Sequence, residues 1–171
     1  MGGARPRFLT RAAVLLLAAL AAGCGYHLRG SVALPPALAR PLVEGPEPLR
    51  GELEAALRAA GATPVRNPAR ASAVVELRGH AAGRRTLSVS GGTARALEYE
   101  LYETVTVAVR DAAGRTLLEP ATVALARPYL YDRTQVLGTS DQEALIRQEL
   151  RRDLVAQLMR RLEALGAAPA R

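Results

Sequence analysis

Between residues 97 and 110 apolar and polar positions alternate along the chain. Leu97, Tyr99, Leu101, Val105, Val107 and Val109 fall on one side of an extended backbone, and Glu98, Glu100, Thr104, Thr106 and Arg110 on the other. Successive side chains of a strand point to opposite faces, so this spacing predicts a strand with one face on a core and one face open, as in an antiparallel sheet. Val75 and Leu77, then Leu87 and Val89, alternate in the same way before the turn signal Gly91-Gly92. Asp111-Ala112-Ala113-Gly114 predicts a hairpin into a further strand from Arg115 to Tyr131, with Leu117, Val123 and Leu125 carrying the apolar face. Pro120 and Pro128 cannot donate to a ladder and place that strand at an edge or at bulges.

Elsewhere the period is that of a helix. Leu49, Leu53, Ala56, Leu57 and Ala60 make one stripe, led in by Pro46 and Pro48 and stopped by Gly61. Near the end, Ile146, Leu150, Leu154, Leu158, Leu162 and Leu165 make a longer stripe that stops at Gly166, and Ser140 with Glu143 fits a capping box at its start. Arg151, Arg152, Arg160 and Arg161 read as the solvated face of that helix. Arg40-Pro41-Leu42-Val43 is a short candidate strand, and Leu34-Pro35-Pro36 before it an extended approach. The order strand, helix, three longer strands, helix predicts an α+β two-layer sandwich, with two helices packed on one face of a mostly antiparallel four-stranded sheet. Nothing in the chain is left to cover the other face.

The first residues have a different character. Arg5, Arg7 and Arg11 precede the apolar run Ala12 to Ala22, and Gly23-Cys24 follows. A charged segment, a short apolar segment and small residues before a cleavage point make a signal peptide, and the run falls short of the roughly 17 to 25 residues that span a bilayer. Cys24 is the chain's one cysteine and has no disulfide partner, so the reading is a lipidation site within Ala21-Ala22-Gly23-Cys24. The expected organisation is a signal peptide over 1–23, a lipidated tether over 24–38, an α+β domain over 39–166 and a tail over 167–171. More than one acyl chain on Cys24 would hold the product stably at a membrane surface.

Residues 24–171 hold 20 basic and 16 acidic side chains, and every basic one is arginine. Arginine forks suit phosphate and carboxylate, although base composition can produce the same bias. The chemistry for catalysis is thin. His27 and His80 stand apart, each read as structural, and there is no His-x-x-His, cysteine pair, Gly-x-Ser-x-Gly or phosphate loop. No enzyme, metal site or cofactor is expected. A nucleic-acid-binding role would require an unprocessed cytoplasmic chain.

Cys24-Gly25-Tyr26-His27-Leu28-Arg29-Gly30 resembles the start of the mature LPS-assembly lipoproteins of Gram-negative outer membranes, the LptE family. The similarity continues through Leu97-Glu98-Tyr99-Glu100, Ala126-Arg127-Pro128-Tyr129 and Asp141-Gln142-Glu143. That resemblance implies a lipid-anchored protein on the periplasmic side of the outer membrane, which plugs and helps assemble an LptD-type β-barrel and binds lipopolysaccharide. It also implies a basic residue at the hairpin tip between the second and third strands, here Arg95, and another before the last helix. Thr139 stands at the second position, and Arg133 in the same loop is the substitute. If the tip fails, Arg84, Arg85 and Arg127 are the next candidates. The alternative is an unrelated periplasmic lipoprotein of the same build, serving as adaptor in another envelope complex.

Overall fold

The computed structural model describes residues 34–89, 96–130 and 136–167. In chain order these form β1 (Pro41–Glu44), α1 (Leu49–Ala59), β2 (Ala73–Val89), β3 (Ala96–Asp111), β4 (Thr116–Leu130) and α2 (Val136–Ala167). The sheet has the order β1-β2-β3-β4, with β1 parallel to β2 and the other pairings antiparallel. This is the expected sandwich. Its two layers differ in length: α2 has 32 residues and α1 only 11, about 48 and 16 Å at the helical rise. Because β1 pairs only with Ala73 to Glu76, α1 and β1 belong to one end of the long strands. We call this end basal and the β2–β3 tip distal.

The basal core follows from the predicted stripes. Leu49, Leu53 and Leu57 of α1, Val75 and Leu77 of β2, Val105, Val107 and Val109 of β3, and Leu154, Leu158 and Leu162 of α2 are buried in one cluster. Burying each such side chain stabilises the fold by roughly 1.5–3 kcal/mol. Leu38 joins this cluster from a 3-10 turn at Pro36–Leu38, so the proline-rich approach is extended only in part. A smaller distal cluster, Leu101, Tyr129 and Leu150 with Tyr99, Leu125 and Ile146 packed on it, lies under α2 alone.

Irregularities in the strands decide which side chains face the helices. Gly79, with φ +60°, lies in a register shift between Arg78 and Ala81, as expected of a bulge with glycine in the left-handed region. A second shift between Thr86 and Ser88 removes Leu87 from the predicted apolar alternation, and it is exposed. β4 is an edge strand, as its prolines required, and Pro120 falls where the β3–β4 register shifts, between Ala121 and Leu118. The Asp111 hairpin closes as expected, with Asp111 Oδ1 accepting from the Ala113 and Arg115 amides at 2.9 Å and Gly114 at φ +80°.

Two helix expectations are corrected. α2 begins at Val136, so Ser140 lies inside it and does not cap it. Glu143 is also unavailable for a capping box, because both of its oxygens are taken by side-chain partners, Arg84 and Tyr129 on one and Arg147 on the other. Arg151, assigned to the solvated face, is half-buried and reaches the sheet, where its Nε lies 3.3 Å from Glu103.

Candidate functional site

Cys24, Arg95 and Arg133 lie outside the described residues. The three reserve arginines are placed, and the structure does not bring them together. Cross-strand register aligns Arg84 with Leu101 and Leu101 with Arg127, on the helix-covered face. Arg84 Nη1 donates to Glu143 Oε1 of α2 at 2.8 Å, with its guanidinium 4.4 Å above the Tyr99 ring. Arg127 donates to Glu149 and Asp153 of α2 at 3.1 and 2.7 Å. Both arginines therefore tie α2 to the distal sheet. Arg85 points to the opposite face, where it pairs with Glu100 and lies 6.0 Å from the Tyr102 ring.

Glu143 is the hub of the distal contacts. Burial alone would raise its pKa, but hydrogen bonds from Tyr129, Arg84 and Arg147 outweigh burial and hold the carboxyl below the usual carboxylate range. Burial pushes the Tyr129 phenol up, and its bond to Glu143 adds to that shift, so Tyr129 keeps the proton it donates. Tyr99 and Tyr129 stack with ring centroids 5.9 Å apart beside this pair. A carboxyl whose pKa is lowered by folding contributes stability that is present above its unfolded pKa and lost as pH falls through the folded one. We expect the melting temperature of Glu143→Gln to lie below that of the wild type near pH 7. The gap should narrow below about pH 4.5, the ordinary value for this group. Thermal melts across that range test it, and a constant gap would show that the charge of Glu143 is not what α2 uses.

A second polar cluster lies nearer the middle of the sheet. Glu103 is on the core-facing side of β3 with 2% exposure. His80 Nε2 lies 2.8 Å from it, and Arg151, besides contacting Glu103, extends Nη1 to within 3.9 Å of Glu52 on α1. Three elements thus meet at the Glu103 carboxylate, and Arg151 links a fourth, α1, through Glu52. Sequence reading took His80 as structural, which agrees, but missed Glu103. Its signal was available as the single polar residue breaking the apolar side between Leu101 and Val105. Among the described residues no group of His, Cys, Asp and Glu could hold a metal ion.

The other sheet face carries Arg78, Ala81, Gly83 and Arg85 of β2, Glu98, Glu100, Tyr102, Thr104 and Thr106 of β3, and Thr122, Ala124, Ala126 and Pro128 of β4, by register. Thr106 and Thr122 share a hydroxyl hydrogen bond of 2.9 Å across it. Tyr102 lies over Gly83, where a Cβ would come within 2.7 Å of the phenol oxygen. The face is mostly polar or small-residue, with Tyr102, Pro128 and the exposed Leu130 as its larger apolar side chains, and the two described helices pack on the other side.

The family model for LptE, described as lipopolysaccharide-assembly, matches residues 31–162. The LPS-assembly lipoprotein LptE of Yersinia enterocolitica is 30% identical over 153 residues, covering 86% of this chain and 72% of that protein. Among solved structures, an uncharacterized lipoprotein B from Nitrosomonas europaea superposes with a TM-score of 0.74 at 24% identity, over 84% of this chain and 94% of that one, a likeness of fold. A minor lipoprotein from Acinetobacter baumannii gives 0.61 at 26% identity, over 74% and 92%. Rare lipoprotein B from Shewanella oneidensis gives 0.58 at 25%, over 73% and 96%.

Proposed function

The chain belongs to the LptE family of lipopolysaccharide-assembly proteins, and from that premise we propose that it is the lipid-anchored, non-enzymatic partner of an LptD-type outer-membrane β-barrel. In this reading it fills the barrel lumen, assists the barrel's assembly and binds lipopolysaccharide on its way to the outer leaflet. The observation that carries the reading is the uncovered sheet face. A barrel lumen is polar, so a face of threonines, glutamates and small residues suits it, and a sheet open on that side can lie against the barrel wall without stranding a broad apolar surface. The distal arginines fit the same setting, because most of them are neutralised by carboxylates within the domain and leave little net charge to bury. Cys24 supplies the anchor, and Arg95 and Arg133 are the proposed phosphate contacts in the loops.

The test is recovery of the mature chain from envelope extracts with a photo-crosslinking residue at Thr104, in the middle of the uncovered face. The expected adduct is with an outer-membrane barrel of LptD type, and Cys24→Ala should abolish partitioning with the outer membrane. An adduct with a different envelope complex, or none with a barrel, would favour the adaptor alternative.

A further inference from the structure

α1 and α2 meet along a groove of about 740 Å³ on the helical side of the domain, within the ~300–1,000 Å³ range of small-ligand sites. Its floor is small and apolar, with Ala55 from α1 and Ala144 and Val155 from α2. Its rim carries Arg147, Arg151 and Arg152, which with Ala144 and Val155 recur at helical spacing along one flank of α2. Arg147 and Arg151 are held from behind by Glu143 and Glu103, both buried. A guanidinium has five N–H donors, so each keeps donors for a ligand. Arg152 is exposed and has no ion pair with any described residue. Glu52 is the one carboxylate on the groove wall.

We propose that this groove binds the phosphorylated head of an amphiphile, with the rim arginines on the phosphate and the first apolar segment on the alanine floor. The proposal rests on the reading of the chain as a lipopolysaccharide-binding partner, and adds a headgroup site separate from Arg95. Phosphate suits the rim because arginine takes such groups bidentately. Because Glu143 is shared between Arg147 and Arg84 while Arg152 has no ion pair with any described residue, positive charge is in excess even with Glu143, Glu103 and Glu52 counted. The floor distinguishes the site from a bare arginine surface, because Ala55 and Ala144 leave apolar room that no side chain of the described domain fills.

The experiment measures binding of purified lipopolysaccharide, and of the same material dephosphorylated, to the full mature chain and four variants, with circular dichroism as the check on folding. Arg152→Ala should weaken binding by about tenfold or more, the effect of one charge-assisted contact. Ala144→Trp, which fills the floor at an exposed helical position and removes no charge, should weaken it at least as much. Arg160→Ala, exposed and outside the groove lining, should bind as wild type, and dephosphorylated material should bind wild type more weakly. Wild-type binding by both Arg152→Ala and Ala144→Trp, with loss in Arg95→Ala, would overturn the groove and leave the functional reading intact. Equal binding of the dephosphorylated material would overturn phosphate recognition. Failure of the wild type to bind lipopolysaccharide at all would remove that reading itself.

Discussion

Val107→Asp should unfold most of the domain at neutral pH, while Thr106→Asp one residue away should cost no more than about 1.5 kcal/mol, the upper end for one hydrogen bond. Val107 is fully buried, aligned with Leu77 on one side and Ala121 on the other, and flanked along its face by Val105 and Val109. A carboxylate there has no partner and must stay desolvated or take up a proton, either of which costs several kcal/mol. Domains of this size have about 5–15 kcal/mol of stability in total, so the change consumes much or all of it. Thr106 is on the uncovered face, where an aspartate loses the hydroxyl bond to Thr122 but stays near water. Urea unfolding of both variants near pH 7 provides the comparison. Equal losses would mean that the faces of β3 are reversed, and the partner-facing side with them.

The same alternation that makes this contrast is readable in the sequence, because a half-buried strand writes its two environments into every second residue. The leucine stripes of α1 and α2 were legible for the same reason at a period of 3.6, and so was the edge position of β4 from Pro120 and Pro128. Polar pairings were not. Arg151 and Glu103 are 48 positions apart, and no local period marks two charged residues that will meet across a helix and a sheet. The start of α2 at Val136 was lost to a plausible capping box, since Glu143 is claimed by tertiary partners that only the fold supplies. The faces of Arg84 and Arg85 illustrate an intermediate case. Counting in twos from Val75 and Leu77 would put Arg85 toward the helices, and the bulge at Gly79 reverses that parity. A glycine inside a strand pattern is a signal for a bulge, but not for the number of residues by which register shifts.

Replacing Glu103 should loosen the distal half of α2 before it affects the basal half. The apolar stripe of α2 is fully buried from Leu154 to Leu162, over the basal core. Toward its start the helix relies on a smaller cluster and on ties to side chains of the sheet, Arg151 to Glu103, Arg127 to Asp153 and Glu149, and Arg84 to Glu143. Glu103 is the most buried carboxylate among them, and removing it leaves Arg151 and His80 facing each other across the vacancy. Breaking a buried pair from one side costs about 3–5 kcal/mol. Arg151 retains Glu52 and partial access to water, so Glu103→Ala should fall at the lower end of that range. Glu103→Gln keeps a hydrogen-bonding group of the same size and should cost less. Pairing Glu103→Leu with Arg151→Met removes both charges together, and should recover part of the loss because an apolar pair needs no desolvated partner. Hydrogen exchange gives the spatial readout: amides from about residue 143 to 150 should exchange faster in Glu103→Ala, while those from 154 to 162 stay protected as long as the basal core holds. If Glu103→Ala melts with the wild type and exchange is unchanged, the leucine stripe alone holds α2, and the four-element polar cluster contributes nothing to keeping the Arg147 and Arg151 rim in place.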